Sequence, residues 1–307
     1  MTRERPPDAP ALKPVKYGVV PAAGLGTRFL PISRAVPKEL IPVVDTPVIE
    51  IVVTEMTASG IERVVLVVGP GKEWIASYFQ PNPRIEARLA ADRRSEDLAL
   101  LKRAERLAQV TAVLQPEPMG NGDAVLRARG LVGDEPFAML WGDDIMLGEE
   151  PAVMQLIKAR ERLGGGSVVG CIRVEKKDLG RYGVVAGTAV DDKTLRVTGI
   201  VEKPAPREAP SDLAAVHGYV LEPQIFELLA KQPPGRGGEV WLTDAVAELA
   251  RQGAPVWAVE LTGQRYDCGD KIGYVNAFMD AALGREDTGP ALRAHLEGLG
   301  WKAPRDR

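Results

Sequence analysis

Cysteine and histidine are both scarce in this chain, which has two of each among its 307 residues. Cys171 and Cys268 lie far apart and lack the spacing of metal ligands, so the sequence favours a reducing, cytosolic compartment. His217 and His295 have no partner residues in a recognisable motif. The sequence therefore offers no nucleophilic triad.

An excess of one charge and long apolar runs are also missing. The 39 basic and 42 acidic residues leave a net charge of −3, which argues against a nucleic-acid binder that relies on overall basicity. No apolar signal-peptide core stands at the N-terminus, and the longest apolar runs have the length of a strand. We therefore expect a cytoplasmic protein with neither a secretion signal nor a membrane span.

A glycine-rich turn that follows the first predicted strand carries the strongest chemical signal. Gly24 and Gly26 accept backbone angles closed to other residues and leave bare N–H groups that suit a phosphate. Arg28 and, ten residues on, Lys38 add positive charge. The turn is not the dinucleotide fingerprint, because Phe29 stands where a glycine is needed. It predicts a polyphosphate site, with an ordinary tight turn as the alternative.

Strands and helices alternate through the first half of the chain. Strands are predicted at 15–20, 63–68, 110–114 and 137–141, and helices at 48–56, 85–107 and 123–131. This order predicts an α/β fold of Rossmann-like type, with a mostly parallel mixed sheet and helices on both faces. Ligands of such sheets bind beyond the carboxyl ends of the strands, where the glycine turn, residues 115–122 and Asp143 are expected.

The second half of the chain departs from this regular alternation and contains a predicted hairpin. Strands are predicted at 167–174, 182–186, 195–201, 214–221 and 256–261, and helices at 153–163, 224–230, 245–251 and 271–283. Thr243 and Asp244 are expected to cap the helix that follows them, with a role in catalysis as the alternative. Nothing forces a split, so we predict one domain at 15–284 between a flexible tail at 1–14 and a polar tail at 285–307.

Two aspartates at the ends of predicted strands indicate a divalent metal. Asp143 is the better candidate, because Mg²⁺ prefers carboxylate oxygens and shares substrate phosphates. Asp267 could complete the pair, although many such aspartates are caps or surface turns. With no nucleophile to nominate, we expect positioning and electrostatics to carry the chemistry, as phosphoryl-type transfers permit.

Six motifs occur in unbroken order within residues 15–283. They are Gly24-Leu25-Gly26-Thr27-Arg28, Pro37-Lys38-Glu39, Gly180-Arg181-Tyr182-Gly183, Val201-Glu202-Lys203-Pro204, Leu242-Thr243-Asp244-Ala245 and Asp267-Cys268-Gly269. Together they resemble the sugar-nucleotidyltransferase family, and more narrowly its bacterial members that use UTP and glucose 1-phosphate. The resemblance implies a nucleotide-diphospho-sugar transferase fold, Mg²⁺ as cofactor, a homo-oligomer, and transfer of the uridylyl group to glucose 1-phosphate.

The resemblance also implies a role for each matching residue. UTP would be bound by Ala22, Ala23, Gly24, Leu25, Gly26, Thr27, Arg28, Lys38, Gln115, Gly120 and Asp143 within residues 15–147. Glucose 1-phosphate would be bound by Gly183, Glu202 and Lys203 within residues 148–284, and Mg²⁺ by Asp143 and Asp267. Arg28, Lys38 and Lys203 would be catalytic, supporting in-line attack on the α-phosphorus without a covalent intermediate or a general base.

Several positions depart from the usual pattern of that family: Trp141-Gly142 stands where a Leu-Pro pair is common, and Asp123 and His217 also differ. Asp123 adds an acid near the loop that would read the base, and His217 falls where a wall of the sugar pocket is expected. The alternative that we favour for His217 is a packed strand histidine. These positions leave dTTP, another nucleotide or another sugar 1-phosphate as alternative substrates. A non-catalytic nucleotide-sugar-binding regulator on the same fold is the alternative from a different class.

Overall fold

A computed structural model describes residues 11–301 of the chain. Its strands are β1 (Tyr17–Ala22), β2 (Pro42–Val43), β3 (Thr46–Pro47), β4 (Arg63–Val68), β5 (Gln109–Leu114), β6 (Phe137–Leu140), β7 (Asp144–Leu147), β8 (Ser167–Arg173), β9 (Gly183–Asp191), β10 (Thr194–Glu202), β11 (Leu213–Leu221), β12 (Val256–Glu260) and β13 (Gln264–Asp267). Its α-helices are α1 (Val48–Ala58), α2 (Pro83–Ala91), α3 (Ser95–Leu101), α4 (Asn121–Arg127), α5 (Arg129–Val132), α6 (Ala152–Arg162), α7 (Ile225–Lys231), α8 (Leu242–Arg251), α9 (Lys271–Gly284) and α10 (Gly289–Gly298).

A nine-stranded sheet in the order β5-β4-β1-β6-β11-β8-β12-β10-β9 organises the fold. The strands from β5 to β6 are parallel, as predicted, and so are β8 and β12. The remaining neighbours in that order are antiparallel, so the expected mostly parallel sheet is a mixed one. One reason is the short turn between β9 and β10, because a hairpin connection can join only antiparallel strands.

Apolar side chains cover both faces of this sheet. Along β4, Val64, Leu66 and Val68 contribute to one buried cluster, while Val65 and Val67 contribute to another. The first cluster contains side chains of α1 and α6, and the second contains side chains of α4, α7 and α8. Because successive strand residues point to opposite faces, helices pack on both sides of the sheet, as the strand–helix alternation predicts.

Several elements differ from the sequence predictions; the helix expected at 123–131, for example, is α4 and α5. The single helix expected at 85–107 is α2 and α3, broken where Arg93 adopts a positive φ of 57°, followed by a short 3₁₀ turn. Helix α8 begins at Leu242, so Thr243 lies inside its first turn, and neither Thr243 nor Asp244 caps it. The antiparallel ribbon of β7 and β13 carries no sequence signal, because each strand has only four residues.

At the C-terminal end of the chain, helix α10 lies within the segment 285–307 that the composition indicates to be a polar tail. Residues 1–10 of the expected N-terminal tail, and residues 302–307 at the other end, lie outside the described part of the chain. Within residues 11–301, no helix combines the length and the apolar character needed to cross a bilayer.

Candidate active site

The glycine turn follows β1 and is held from one side by a lysine that no motif singled out. Lys72 Nζ donates to the carbonyl oxygens of Ala22 at 2.9 Å and Gly24 at 2.7 Å. The same ammonium lies 3.0 Å from an Oε of Glu39, which is 1% exposed. Burial raises the pKa of Glu39, and the charge of Lys72 opposes that shift. The turn is therefore tied to a buried ion pair, with Gly26 at φ 66° in the left-handed region.

Lys38 and Asp143 form an ion pair although they are 105 residues apart in sequence. Burial would lower the pKa of Lys38, but the negative charges of Asp143 and Glu39 outweigh it and raise the pKa. Both partners line a cavity of about 260 Å³. Other residues that line it include Ala23, Gly24, Gln115, Gly120 and Trp141. A charged lysine and an acid thus face one cavity beyond the strand ends.

The second predicted metal ligand lies beside the first because of the β7–β13 ribbon. This ribbon pairs Asp144 with Asp267, and the chain then turns at Gly269. A Cβ atom added to Gly269 would overlap Asp143 Oδ2 and lie 3.0 Å from Asp267 Oδ1. Burial and the charge of Asp143 both raise the pKa of Asp267. The two carboxylates therefore crowd one small space, an arrangement that a cation would relieve.

The oxygens of Asp143 and Asp267 are of the type that Mg²⁺ prefers. Within residues 11–301, no group of three or more histidine, cysteine, aspartate or glutamate side chains could hold a metal ion. Mg²⁺ is commonly bound by one or two carboxylates together with substrate phosphates and water, so the pair fits that ion. Arg28 reaches the same corner, where its Nη1 donates to the carbonyl oxygen of Gly269 at 3.3 Å.

A second cavity, of about 590 Å³, is lined by two of the three residues assigned to the sugar phosphate. Glu202 and Lys203 line it together with Trp241, and Lys203 Nζ lies 4.3 Å from the centroid of the Trp241 ring. Thr243 Oγ1 donates to Glu202 Oε2 at 2.9 Å. A Cβ atom on Gly183 would lie 3.1 Å from that same oxygen. Sequence reasoning missed Trp241 and gave Thr243 only a capping role.

His217 lies in the protein interior and does not line the 590 Å³ cavity. Its Nε2 lies 2.9 Å from Glu55 Oε1, and its Nδ1 lies 3.5 Å from Asp144 Oδ1. Asp144 is also bound by Arg265, whose Nε donates at 2.8 Å. Burial would lower the pKa of His217, but the charge of Glu55 and the contact with Asp144 raise it to about 9. The prediction of a packed strand histidine is therefore correct, and the side chains that contact the buried ring are charged.

The predicted site residues thus fall into three groups. The 260 Å³ cavity is lined by Ala23, Gly24, Lys38, Gln115, Gly120 and Asp143. The 590 Å³ cavity is lined by Glu202 and Lys203, and Glu239 contributes to the walls of both cavities. The third group lines neither cavity and consists of Ala22, Leu25, Gly26, Thr27 and Arg28 at the glycine turn, together with Gly183 and Asp267. Lys72, Trp241 and Arg265 are the contributors that motif reasoning left out.

Known proteins show what this arrangement resembles. A family profile described as nucleotidyl transferase matches residues 17–284. The UTP–glucose-1-phosphate uridylyltransferase of Bacillus subtilis is 38% identical over 288 residues, covering 94% of this chain and 98% of that relative. A second Bacillus subtilis protein of that name, YngB, is 41% identical and covers 94% of this chain and 96% of its own.

Solved structures agree with the sequence relatives. The UTP-bound UGPase from Acinetobacter baumannii has a TM-score of 0.85 at 35% identity, covering 92% of this chain and 99% of its own. A UDP-glucose pyrophosphorylase complexed with UDP-glucose has a TM-score of 0.79 at 32% identity, covering 88% and 100%. The chain belongs to the nucleotidyl transferase family, and within it to the bacterial UTP–glucose-1-phosphate uridylyltransferases.

Proposed function

We propose that this chain transfers the uridylyl group of UTP to glucose 1-phosphate, giving UDP-glucose and pyrophosphate. One observation carries the proposal. The Lys38–Asp143 ion pair stands in one cavity and Lys203 in a second, and Glu239 belongs to the walls of both. Two phosphorylated substrates could therefore meet between cations from opposite halves of the sheet.

The first cavity suits a nucleoside triphosphate. The turn at Gly24 offers backbone N–H groups, and Lys38 supplies a charge whose ammonium form is favoured by Asp143. Arg28, which donates a hydrogen bond to the carbonyl oxygen of Gly269, would place a second positive charge next to the leaving pyrophosphate. Gln115 and the backbone at Gly120 would bind the base. Ala22, Leu25, Gly26 and Thr27 would act by shaping the turn.

Asp143 and Asp267 would hold the magnesium ion that the relationship implies. When bound, the ion would supply positive charge against the triphosphate, the role that divalent cations commonly have in phosphoryl-type transfer. Lys38 is held against Asp143, so this lysine stays next to the carboxylate that the ion would share. The contribution of the chain is to place two acids and one lysine around Gly269 with little room to rearrange.

The second cavity suits a sugar phosphate. Glu202 Oε2 accepts a hydrogen bond from Thr243, and Glu202 Oε1 lies 3.6 Å from Lys203 Nζ. Each carboxylate oxygen has two lone pairs, so Glu202 keeps capacity to accept from sugar hydroxyl groups. Lys203 has a positive φ of 47° and lies over Trp241, so its ammonium is held in place to meet a phosphate. A phosphate monoester oxygen is already ionised near neutral pH, so its attack on the α-phosphorus needs no base from the protein.

The experiment that tests the proposal is pyrophosphate release in the presence of Mg²⁺. Glucose 1-phosphate is offered with UTP, dTTP, ATP, CTP or GTP, and UTP is then offered with other sugar 1-phosphates. We expect a strong preference for UTP with glucose 1-phosphate, and loss of release in Asp143→Asn. Asp192→Asn, at the exposed β9–β10 turn, is the matched control and is expected to keep full activity.

Other outcomes would replace the proposal with one of its alternatives. Preference for dTTP or for a different sugar 1-phosphate would keep the reaction class and change the substrate. Binding without release for every pair would favour a nucleotide-sugar-binding regulator. A homo-oligomer and a cytoplasmic location remain predictions that sedimentation and fractionation would test.

A further inference from the structure

Asp123 contacts the glutamine that faces the nucleotide cavity. Gln115 Nε2 donates to Asp123 Oδ2 at 2.8 Å and to the carbonyl oxygen of Gly120 at 2.9 Å. Gln115 is 4% exposed and Asp123 is 7% exposed, so water competes weakly for these bonds. Both hydrogens of the Gln115 amide are therefore engaged on the protein side of the site.

Arg127 holds the aspartate in this position. Its Nη2 donates to Asp123 Oδ1 at 2.8 Å, one helical turn further along α4. The Asp123 carboxylate thus shares its oxygens between a guanidinium and the Gln115 amide. A carboxylate can only accept in these bonds, and so can the carbonyl oxygen of Gly120. The orientation of the Gln115 amide consequently follows from the chemistry of its partners.

The group left to face the cavity is the Gln115 carbonyl oxygen. Gln115 lines the 260 Å³ cavity together with Gly24 and Gly120, whereas Asp123 does not. Among the backbone groups of residues 11–301 and their described side chains, which do not include that of Arg236, none donates a hydrogen bond to Gln115 Oε1. The cavity is therefore presented with a hydrogen-bond acceptor at this point, and the amide donors are kept away from it.

We propose that Asp123 is a specificity-determining residue, which acts by locking the Gln115 amide with its oxygen toward the nucleotide base. The inference rests on the proposed function, because it concerns the base bound in that cavity. Uracil and thymine carry an N3–H donor, whereas cytosine has an acceptor at N3. In this proposal the locked oxygen faces position 3 of the base, where it accepts from the first two bases and repels the third. It does not separate uracil from thymine.

The test compares UTP with CTP, because these nucleotides share ribose and triphosphate and differ at the edge of the base. In Asp123→Asn, Arg127 attracts the new amide oxygen and leaves the new NH₂ group facing Gln115, which loosens the lock without changing the shape. We expect the ratio of kcat/KM for UTP over CTP to fall about tenfold, the scale of one hydrogen bond to a charged group. A purely structural defect would lower both values together.

A matched control and a second variant keep the test decisive. Asp92→Asn removes another helical Asp–Arg pair, that of Asp92 with Arg88 on α2, and is expected to leave the ratio unchanged. Arg127→Ala keeps Asp123 but removes its ion-pair partner. In this variant the ratio of kcat/KM for UTP over CTP should fall about threefold, the scale of a partly exposed ion pair. If Asp123→Asn does not fold, Arg127→Ala decides the question.

Binding measurements separate this inference from the proposed function. Calorimetric titration of each variant with UTP and with CTP, without sugar phosphate, reads the base preference whether or not the chain turns over. A wild type that binds UTP better than CTP but never releases pyrophosphate would overturn the proposed function and leave the lock standing. An unchanged UTP preference in a folded Asp123→Asn or Arg127→Ala variant would overturn the lock.

Discussion

Arg265 donates to the carboxylate of Asp144 through two of its nitrogens: Nε lies 3.0 Å from Oδ1 and 2.8 Å from Oδ2, and Nη2 also donates to Oδ2. The side chains of both are largely buried, at 13% and 4% exposure. Asp144 follows Asp143 in the chain and pairs with Asp267 across the β7–β13 ribbon. The ion pair therefore stabilises the ribbon that brings the two candidate metal ligands together.

Gly269→Ala should directly impair the candidate metal site. The added Cβ would overlap Asp143 Oδ2 and crowd Asp267 Oδ1, so one carboxylate must move. We expect activity to fall by about tenfold or more, with a higher Mg²⁺ concentration needed for half-maximal rate, because misplaced catalytic groups cost rates of this order. Gly130→Ala, where an added Cβ meets nothing within 4 Å, is the control. An unchanged Mg²⁺ dependence in Gly269→Ala would remove this corner from the metal site.

Lys203→Ala should weaken the binding of one substrate and not of the other. Its ammonium lines the 590 Å³ cavity and not the 260 Å³ cavity, so we expect turnover to collapse and the KM for glucose 1-phosphate to rise. UTP binding, measured by calorimetry, should stay within about twofold of wild type, because remote sites are close to independent. Lys193→Ala, at the exposed β9–β10 turn, serves as the control. Equal loss of affinity for both substrates would place Lys203 elsewhere in the mechanism.

His217→Gln should change how stability depends on pH. The pKa of His217 is raised from 6.5 to about 9 in the folded protein, because the negative charges of Glu55 and Asp144 outweigh the effect of burial. The positive charge of Arg265, which contacts Asp144, offsets those charges only in part. Its stabilising contribution is therefore complete below pH 6.5 and is lost as the pH rises through 9. That contribution corresponds to about 3 kcal/mol.

Urea unfolding at several pH values measures this effect. The difference in unfolding free energy between wild type and His217→Gln should shrink from about pH 6 to about pH 10, by roughly the amount given above. His295→Gln, at an exposed position of α10, should show no such trend. A difference that stays constant with pH would mean that the buried imidazole is neutral throughout.

Cys268→Ser should retain most of the turnover. The thiol is 2% exposed, and burial followed by the charges of Asp144 and Asp143 raises its pKa to about 12. A neutral buried thiol is a poor nucleophile, so native Cys268 should also react slowly with thiol reagents. Turnover and the rate of thiol labelling check both points. A dead Cys268→Ser enzyme that still folds would reveal a function for the side chain.

Local patterns explain why so much of this protein is readable from sequence. The strand of β4 is predicted with the bounds that it has, because a continuous β-branched run favours a strand covered on both faces. The glycine turn and the two aspartates after strands are also local signals, and their motifs carried the family resemblance. The amino-acid sequence by itself thus determined most of the order of the main strands and helices, the candidate phosphate-binding turn and the identity of the candidate ligands.

Tertiary structure alone decided which distant charges meet. Lys72 reaches the glycine turn because β4 lies beside β1, and His217 reaches Glu55 across 162 positions of sequence. Asp267 reaches Asp143 only through a ribbon whose strands are too short to show a pattern. These contacts depend on strand order and register, which are settled by packing the whole sheet against its helices, and no local spacing contains that information.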